Sequence, residues 1–191
     1  MTSNLSARIV AVQTLPIVEL PKVMGDPEPW VRYWVAKRID PSRLPEMMED
    51  MEPNVRCMVA ERIDPSRLPE MLNDVSTSVR RAVAERIAPT RLPEMMGDPE
   101  WLVRQEVAKR IDPSLPEMIR AEVAERKAAR RISSDRLHEM MWDSHWAVRL
   151  EVAQRIPSKY LGGMLMKDTH PKVLEIIRER LSTPGAYPTG V

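Results

Sequence analysis

One cysteine, Cys57, in 191 residues excludes an internal disulfide and leaves far too few thiolates for a cysteine-ligated zinc or iron–sulfur site. Phenylalanine is absent, and five Trp and three Tyr are the only aromatic residues. Charge of one sign is also missing: 29 Lys and Arg against 28 Asp and Glu give a net +1, with no global field to hold nucleic acid or an anionic membrane. No apolar run approaches the length of a membrane span. The N-terminus, MTSNLSARIV, lacks the basic-then-apolar order of a signal peptide, so the expected location is cytoplasmic. No segment alternates with period two, which excludes half-buried strands. No glycine-rich phosphate loop, nucleophile–base pair or metalloprotease motif is present.

What the chain does have is 18 Pro and 14 Met against 6 Gly. Prolines at that density disrupt long helices and central strands unless they fall at regular punctuation points. They do. Val31, Val55, Val79 and Val103 open near-identical stretches 24 residues apart, such as VRCMVAERIDPSRLPEMLND. Worn copies open near residues 7, 124 and 148, and a half copy opens at 173. The copy opening at 103 is three residues short, lacking the Arg of SRL and the closing turn. Residues 1–181 thus read as one array of about seven repeats, and 182–191 as a flexible tail.

Numbered from the opening valine, positions 1, 2, 5, 6 and 9 share one face of an amphipathic helix, with 3, 4 and 7 facing outward. Asp-Pro at positions 10 and 11 ends that helix, because a residue before proline is pushed out of the α region. The following SRLPEMM carries a second proline and predicts a short 3₁₀ element. Asp at position 20 is expected to N-cap the next helix. So short a helix is unstable alone, so the repeats must stack to bury Val31, Val35, Ala36, Ile39, Leu44 and the Met47-Met48 pair and their equivalents. The expected fold is an all-α solenoid without a β-sheet.

The pattern V-R-x-x-V-A-x-R-I-D-P-x-x-L-P-x-M-x-x-D-P resembles the leucine-rich repeat variant family over residues 7–181. The resemblance implies a right-handed superhelix of α-helix plus 3₁₀-helix repeats. It also implies an association with nitrogen fixation, since members often sit among nitrogen-fixation genes and some carry an N-terminal 4Fe-4S domain. With Cys57 alone, inside a repeat, no cluster domain and no metal site are carried over.

The recurring arginines at position 2 lie on the buried arc and must be satisfied internally. Asp26/Arg32, Asp50/Arg56, Asp74/Arg80, Asp98/Arg104 and Asp143/Arg149 recur together as a structural ladder. Where the 103 repeat loses its Asp, the next repeat carries Glu125 in place of Arg. The alternative use of such arginines is a phosphate track on nucleic acid. Met pairs read as core filler, and His138 and His145, seven apart, are a poor ligand motif. Gly162-Gly163, standing where other repeats have Pro-Glu, reads as a relief of packing.

The candidate partner-binding residues are the outward ones that vary. Tyr33-Trp34 and Cys57-Met58 occupy positions 3 and 4 of successive repeats, Trp30 lies just upstream, and Arg126, Lys127 and Arg130 form a local basic cluster. No catalytic residue and no cofactor is expected, because almost every reactive side chain is one rung of a repeat. The chain reads as a non-catalytic scaffold, monomeric when free, that docks on a protein and not on nucleic acid or membrane. The resemblance implies a nitrogenase component, the molybdenum–iron protein or an assembly intermediate, as that partner. A general interaction solenoid, or a nucleic-acid binder using the Arg ladder, is the alternative.

Overall fold

The computed structural model describes residues 5–111 and 136–182, and the structural statements below concern these. They divide into two compact units, Met1–Ala88 and Pro89–Val191. In the first, helices α1 (Leu5–Thr14), α2 (Pro29–Arg38), α3 (Pro53–Arg62) and α4 (Thr77–Arg86) alternate with 3₁₀ segments Ile17–Val23, Pro41–Met47 and Pro65–Met71. In the second, the 3₁₀ segment Pro89–Met95 precedes α5 (Trp101–Arg110). After it come α6 (Arg136–Glu139), a 3₁₀ turn Met140–Trp142, α7 (Trp146–Arg155), α8 (Ser158–Lys167) and α9 (Pro171–Ser182). Among the described residues there is no strand.

Proline dictates this alternation. In the second repeat α2 stops where Ile39 turns to ψ 156° after donating its N–H to Val35, and Asp40 then caps the 3₁₀ segment by accepting from Ser42 N at 2.9 Å. Pro41 takes the first position, where its missing N–H is harmless. Pro45 lies inside, and 3₁₀ bonds such as Met48 N to Pro45 O close the seven-residue segment. In the last repeat Gly162-Gly163 replaces that inner Pro-Glu, the missing N–H is restored, and the second element is the α-helix α8.

The expected N-cap needs correction. Helices α2 and α3 begin at Pro29 and Pro53 with extended Glu28 and Glu52 as caps, and position-20 Asp lies two residues earlier. There it closes a turn: Asp50 Oδ1 accepts from Glu52 N at 2.9 Å and Asp74 Oδ1 from Ser76 N at 2.8 Å.

Each stack buries Val, Val, Ala and Ile from the α-helix together with Leu and the first Met of the short element. Val55, Val59, Ala60, Ile63, Leu68 and Met71 are all buried, the first four and Leu68 almost completely. Full burial of each such aliphatic chain stabilises by about 1.5–3 kcal/mol. The second Met of two pairs, Met48 and Met96, is only half-buried, because adjacent residues point apart, whereas in the Met140-Met141 pair both are buried.

Position 4 departs from the outward face expected for it. Met58 and Ala82 are buried and Trp34 is half-buried, because this position faces the seam with a neighbouring helix.

The first half of the repeat opening near 124 lies in 112–135, outside the described residues, as do Arg126, Lys127, Arg130 and the tail from 183. The stack nevertheless closes over that gap. Helix α5 packs directly on α7. Arg104 pairs with Asp143, 39 residues on, where Arg32 and Arg56 pair at 18, a difference of 21. The sequence explains the choice. The competing copy offers Ala124 and Ala128 where α5 offers Val103 and Val107, and it would set Glu125 rather than Arg104 against Asp143.

Removing residues 114–134 would join Asp112-Pro113 to Asp135-Arg136-Leu137, matching Asp64-Pro65-Ser66-Arg67-Leu68 in register. The shortened chain is expected to fold, with a Tm within about 5 °C of the parent; loss of cooperative melting by circular dichroism would contradict the closure of α5 on α7.

Candidate functional site

Position-2 arginines form the most regular polar feature. Arg32 donates Nε and Nη2 to the two carboxylate oxygens of Asp50 at 2.7 and 2.8 Å, and Nη1 to the backbone carbonyl of Asp26 at 2.8 Å. Arg56 does the same to Asp74 at 2.7 and 2.9 Å and to Asp50 O at 2.6 Å. Arg104 with Asp143 and Asp98 O, and Arg149 with Asp168 and Asp143 O, repeat the geometry. Arg8 pairs with Asp26, and Arg80 donates to Asp74 O at 2.8 Å.

This corrects the pairing read from the sequence. In Asp26/Arg32, Asp50/Arg56, Asp74/Arg80, Asp98/Arg104 and Asp143/Arg149 the aspartate gives its backbone carbonyl, and for Arg32, Arg56, Arg104 and Arg149 the carboxylate comes from the next rung. Sequence proximity, six residues against 18, favoured the wrong member. The planar guanidinium fork spans both partners at once, as a lysine ammonium does not.

A second set of arginines, at position 8, plugs helix ends. Arg38 donates to Val12 O at 2.5 Å, and Arg62 and Arg86 donate at 2.6 Å to the position-6 carbonyls Ala36 O and Ala60 O. Arg155 reaches Ala108 O and Ile111 O, and Arg180 reaches Ala153 O and Ile156 O. These carbonyls are the orphan acceptors of a helix C-terminus. The sequence signal was the equal recurrence of Arg at position 8. With the arginines named above committed inside the chain, their guanidiniums present no phosphate track.

Burial alone would disfavour the ionised aspartates, but the arginine hydrogen bonds, the turn N–H groups and the guanidinium charges outweigh it. Asp50, Asp74, Asp143 and Asp168 are therefore held below the ordinary Asp range.

The outward aromatic residues gather at the start of α2. Trp30 is 52% exposed, its ring 5.6 Å from Tyr33 in an edge-to-face arrangement, and Tyr33 lies 6.0 Å from Trp34 in the same way. Lys37 Nζ stands 4.6 Å from the Trp34 ring. Pro29, Trp30 and Tyr33 face Glu52, the cap of α3, and Asn54 in its first turn across a 130 Å³ depression, a rim the sequence reading missed. Cys57 and Met58 do not extend the patch. Met58 is buried, and Cys57 is half-buried against Glu61 Oε1 at 3.7 Å and Ser78 O at 3.6 Å. Burial, with the Glu61 charge, pushes its thiol up to about 11, far from a nucleophile at neutral pH.

The three histidines are placed by rings. His145 stacks on Trp101 at 3.9 Å and caps α7 through Nδ1, which accepts from Ala147 N at 3.2 Å. His170 stacks on Trp146 at 4.2 Å, and His138 on Tyr160 at 5.3 Å. These first two pairs join Trp101 and Trp146, the first residues of α5 and α7, to the residues just before α7 and α9, a register visible in the sequence only once the rungs are known. Among the described residues no group of three or more His, Cys, Asp and Glu is placed to hold a metal ion. No helix among them is long and apolar enough to cross a membrane.

No protein-family model matches the sequence, and no curated protein resembles it. Among solved structures, a leucine-rich repeat variant with a novel repetitive protein structural motif superposes with a TM-score of 0.75 and 28% sequence identity. The chain has the leucine-rich repeat variant fold. The match covers 92% of this chain and 66% of that one, so the chain spans just under two-thirds of its neighbour's length. This leucine-rich repeat variant architecture is a repeat scaffold, with α-helix and 3₁₀ segment alternating as the prolines dictate.

Two outcomes follow from the rungs. Asp74→Ala leaves the guanidinium of Arg56, a residue only 8% exposed, without its carboxylate, and should lower the free energy of unfolding by about 3 kcal/mol in urea melts. Arg56→Met with Asp74→Leu should recover most of that loss.

Because the four aspartates have lowered values in the folded state, their contribution is complete above the ordinary Asp value of about 3.9 and is lost as pH falls through the lowered values. Melting temperature is expected to drop steeply below about pH 4; an unchanged Tm at pH 3 would contradict the ladder's role.

Proposed function

We propose that the protein is a non-catalytic scaffold that docks on a protein partner through the Trp30–Tyr33–Trp34 cluster. The observation that carries this reading is a half-exposed, mutually braced aromatic group beside a depression rimmed by Glu52 and Asn54. Tryptophan and tyrosine dominate binding hot spots because they offer large, stiff apolar area with a polar tip. The rungs around the patch leave its backbone little freedom, so docking orders few additional groups.

The array of residues 1–181 serves in this reading as one cytoplasmic scaffold, monomeric when free. The resemblance to proteins encoded among nitrogen-fixation genes supports a nitrogenase component, the molybdenum–iron protein or an assembly intermediate, as the partner to be stabilised. That identification rests on the family resemblance, not on the site's geometry.

Affinity capture from nitrogen-fixing cells tests both levels. The full chain is expected to recover nitrogenase subunits; recovery of other proteins only would remove the nitrogenase assignment and leave the scaffold. Replacing Trp30, Tyr33 and Trp34 by Ala should weaken binding of the recovered partner at least thirtyfold, since one hot-spot residue is worth about 2 kcal/mol. Unchanged affinity in calorimetry would remove this interface.

A further inference from the structure

The depression beside Trp30 brings together groups that the fold itself does not require. Pro29, Trp30 and Tyr33 wall one side, with the Trp30 and Tyr33 rings 5.6 Å apart and inclined at 74°, and Glu52 and Asn54 form the other. Ser76 and His145 cap α4 and α7 from the place that Glu52 holds at α3, so a helix start needs no carboxylate there, and the Glu52 side chain makes no capping bond. In the next repeat the positions of Trp30, Tyr33, Glu52 and Asn54 hold Asn54, Cys57, Ser76 and Ser78, and in the one after they hold Ser78, Arg81, Glu100 and Leu102. Neither set joins two rings to a carboxylate.

Across from the rings two acceptors stand open. Asn54 Nδ2 donates to Glu52 Oε1 at 3.0 Å, and Glu52 Oε2 and Asn54 Oδ1 carry no hydrogen bond among the described residues. Glu52 lies in the field of Arg32 and Arg56, yet neither bonds it. Arg32 gives its N–H groups to Asp50, Asp26 O and Pro27 O, and Arg56 gives its own to Asp74, Asp50 O and Met51 O. Lys37 stands over Trp34 and does not line the depression. Ring faces draw a cation within about 6 Å of their centres. A planar guanidinium can lie on such a face while its N–H fork donates to two acceptors at once.

We propose that this depression seats an arginine side chain of the protein partner, an inference that rests on the docking role given above to the Trp30–Tyr33–Trp34 cluster. The guanidinium lies against the Trp30 and Tyr33 rings and donates to Glu52 Oε2 and Asn54 Oδ1, while residues flanking that arginine pack on the exposed remainder of Trp30 and on Trp34. Charge complementarity selects the cation, because the Glu52 carboxylate repels an acidic segment or a phosphate strand. A purely apolar side chain fits less well, since it would cover the Glu52 oxygen without answering it.

The test titrates the full chain with 12-residue Gly-Ser peptides carrying Leu-Arg-Leu at the centre and follows the backbone amide resonances of α2 and α3 by NMR. Twin peptides replace the Arg by its neutral isostere citrulline, by Lys or by Leu. The arginine peptide should bind at least tenfold tighter than the citrulline and leucine twins, with the lysine twin between. Glu52→Gln, melting like the parent, should abolish the preference for Arg over citrulline while leaving the citrulline peptide's own affinity unchanged. Failure of the arginine peptide to bind, equal binding of any twin, or an arginine preference retained in Glu52→Gln would each overturn the proposal. The Trp30→Ala/Tyr33→Ala variant separates this failure from that of the docking role. If the twins bind alike and this variant loses them all, the aromatic surface stands without its cationic occupant; if they bind it as they bind the parent, the aromatic surface falls as well.

Discussion

The fold depends on one interaction, a position-2 guanidinium that grips the carboxylate of the following rung and the backbone carbonyl of the preceding one. Arg56 holds Asp74 by two bonds while its third nitrogen holds Asp50 O, and Asp50 in turn holds Arg32. Asp26, Asp50, Asp74 and Asp143 therefore each answer to two arginines, and each also closes its own turn. This mutual satisfaction offsets the desolvation that would otherwise make buried charges a liability. Apolar burial gives most of the stabilisation, but a row of Val, Ala, Ile and Leu is indifferent to a shift of one repeat. The rung is not, because a mis-registered carboxylate leaves a buried cation unanswered.

The array handles its own irregularity in the same way. The copy containing Glu125 cannot make the rung, since it would put a carboxylate against Asp143, whereas Arg104 on α5 can. Arg155 follows suit, reaching Ala108 O across 47 residues where its equivalents span 26. Two independent arginine sets, one on carboxylates and one on carbonyls, agree on the same 21-residue offset. Packing volume points the same way, as valines replace alanines at the contact.

Much of this was legible from residue order. Prolines 41 and 45 fix where the α-helix must stop and why its successor is 3₁₀, and the buried Val31, Val35 and Ile39 follow from helical spacing. What was not legible was geometry between neighbouring repeats. The period shows that Arg and Asp recur together, but every unit contains both, so periodicity cannot say which Asp meets which Arg. Position 4 was misjudged for a related reason. A helical wheel gives angles within one helix, and whether Met58 faces water or a neighbour depends on how that neighbour is set against it. The ring stacks of His145 and His170 are likewise contacts between successive repeats.

The charge balance divides by residue type for a physical reason. The described position-2 arginines, and Arg38, Arg62, Arg86, Arg155 and Arg180 at position 8, bond within the stack, where a planar fork satisfies fixed oxygens. The described lysines stay at the surface, and four of them, Lys37, Lys159, Lys167 and Lys172, sit over Trp or Tyr rings. An ammonium over a ring remains hydrated and mobile enough to meet a new carboxylate, while the ring beneath offers apolar area to the same partner. Where arginine enforces the repeat, these lysines and the rings beneath them stand at positions that no rung constrains. The α-helical form of the last repeat's second element extends that freedom: losing the inner proline turns a 3₁₀ segment braced by an Arg–Glu pair, such as Arg67 with Glu70, into a longer helix with two lysines and a bare centre.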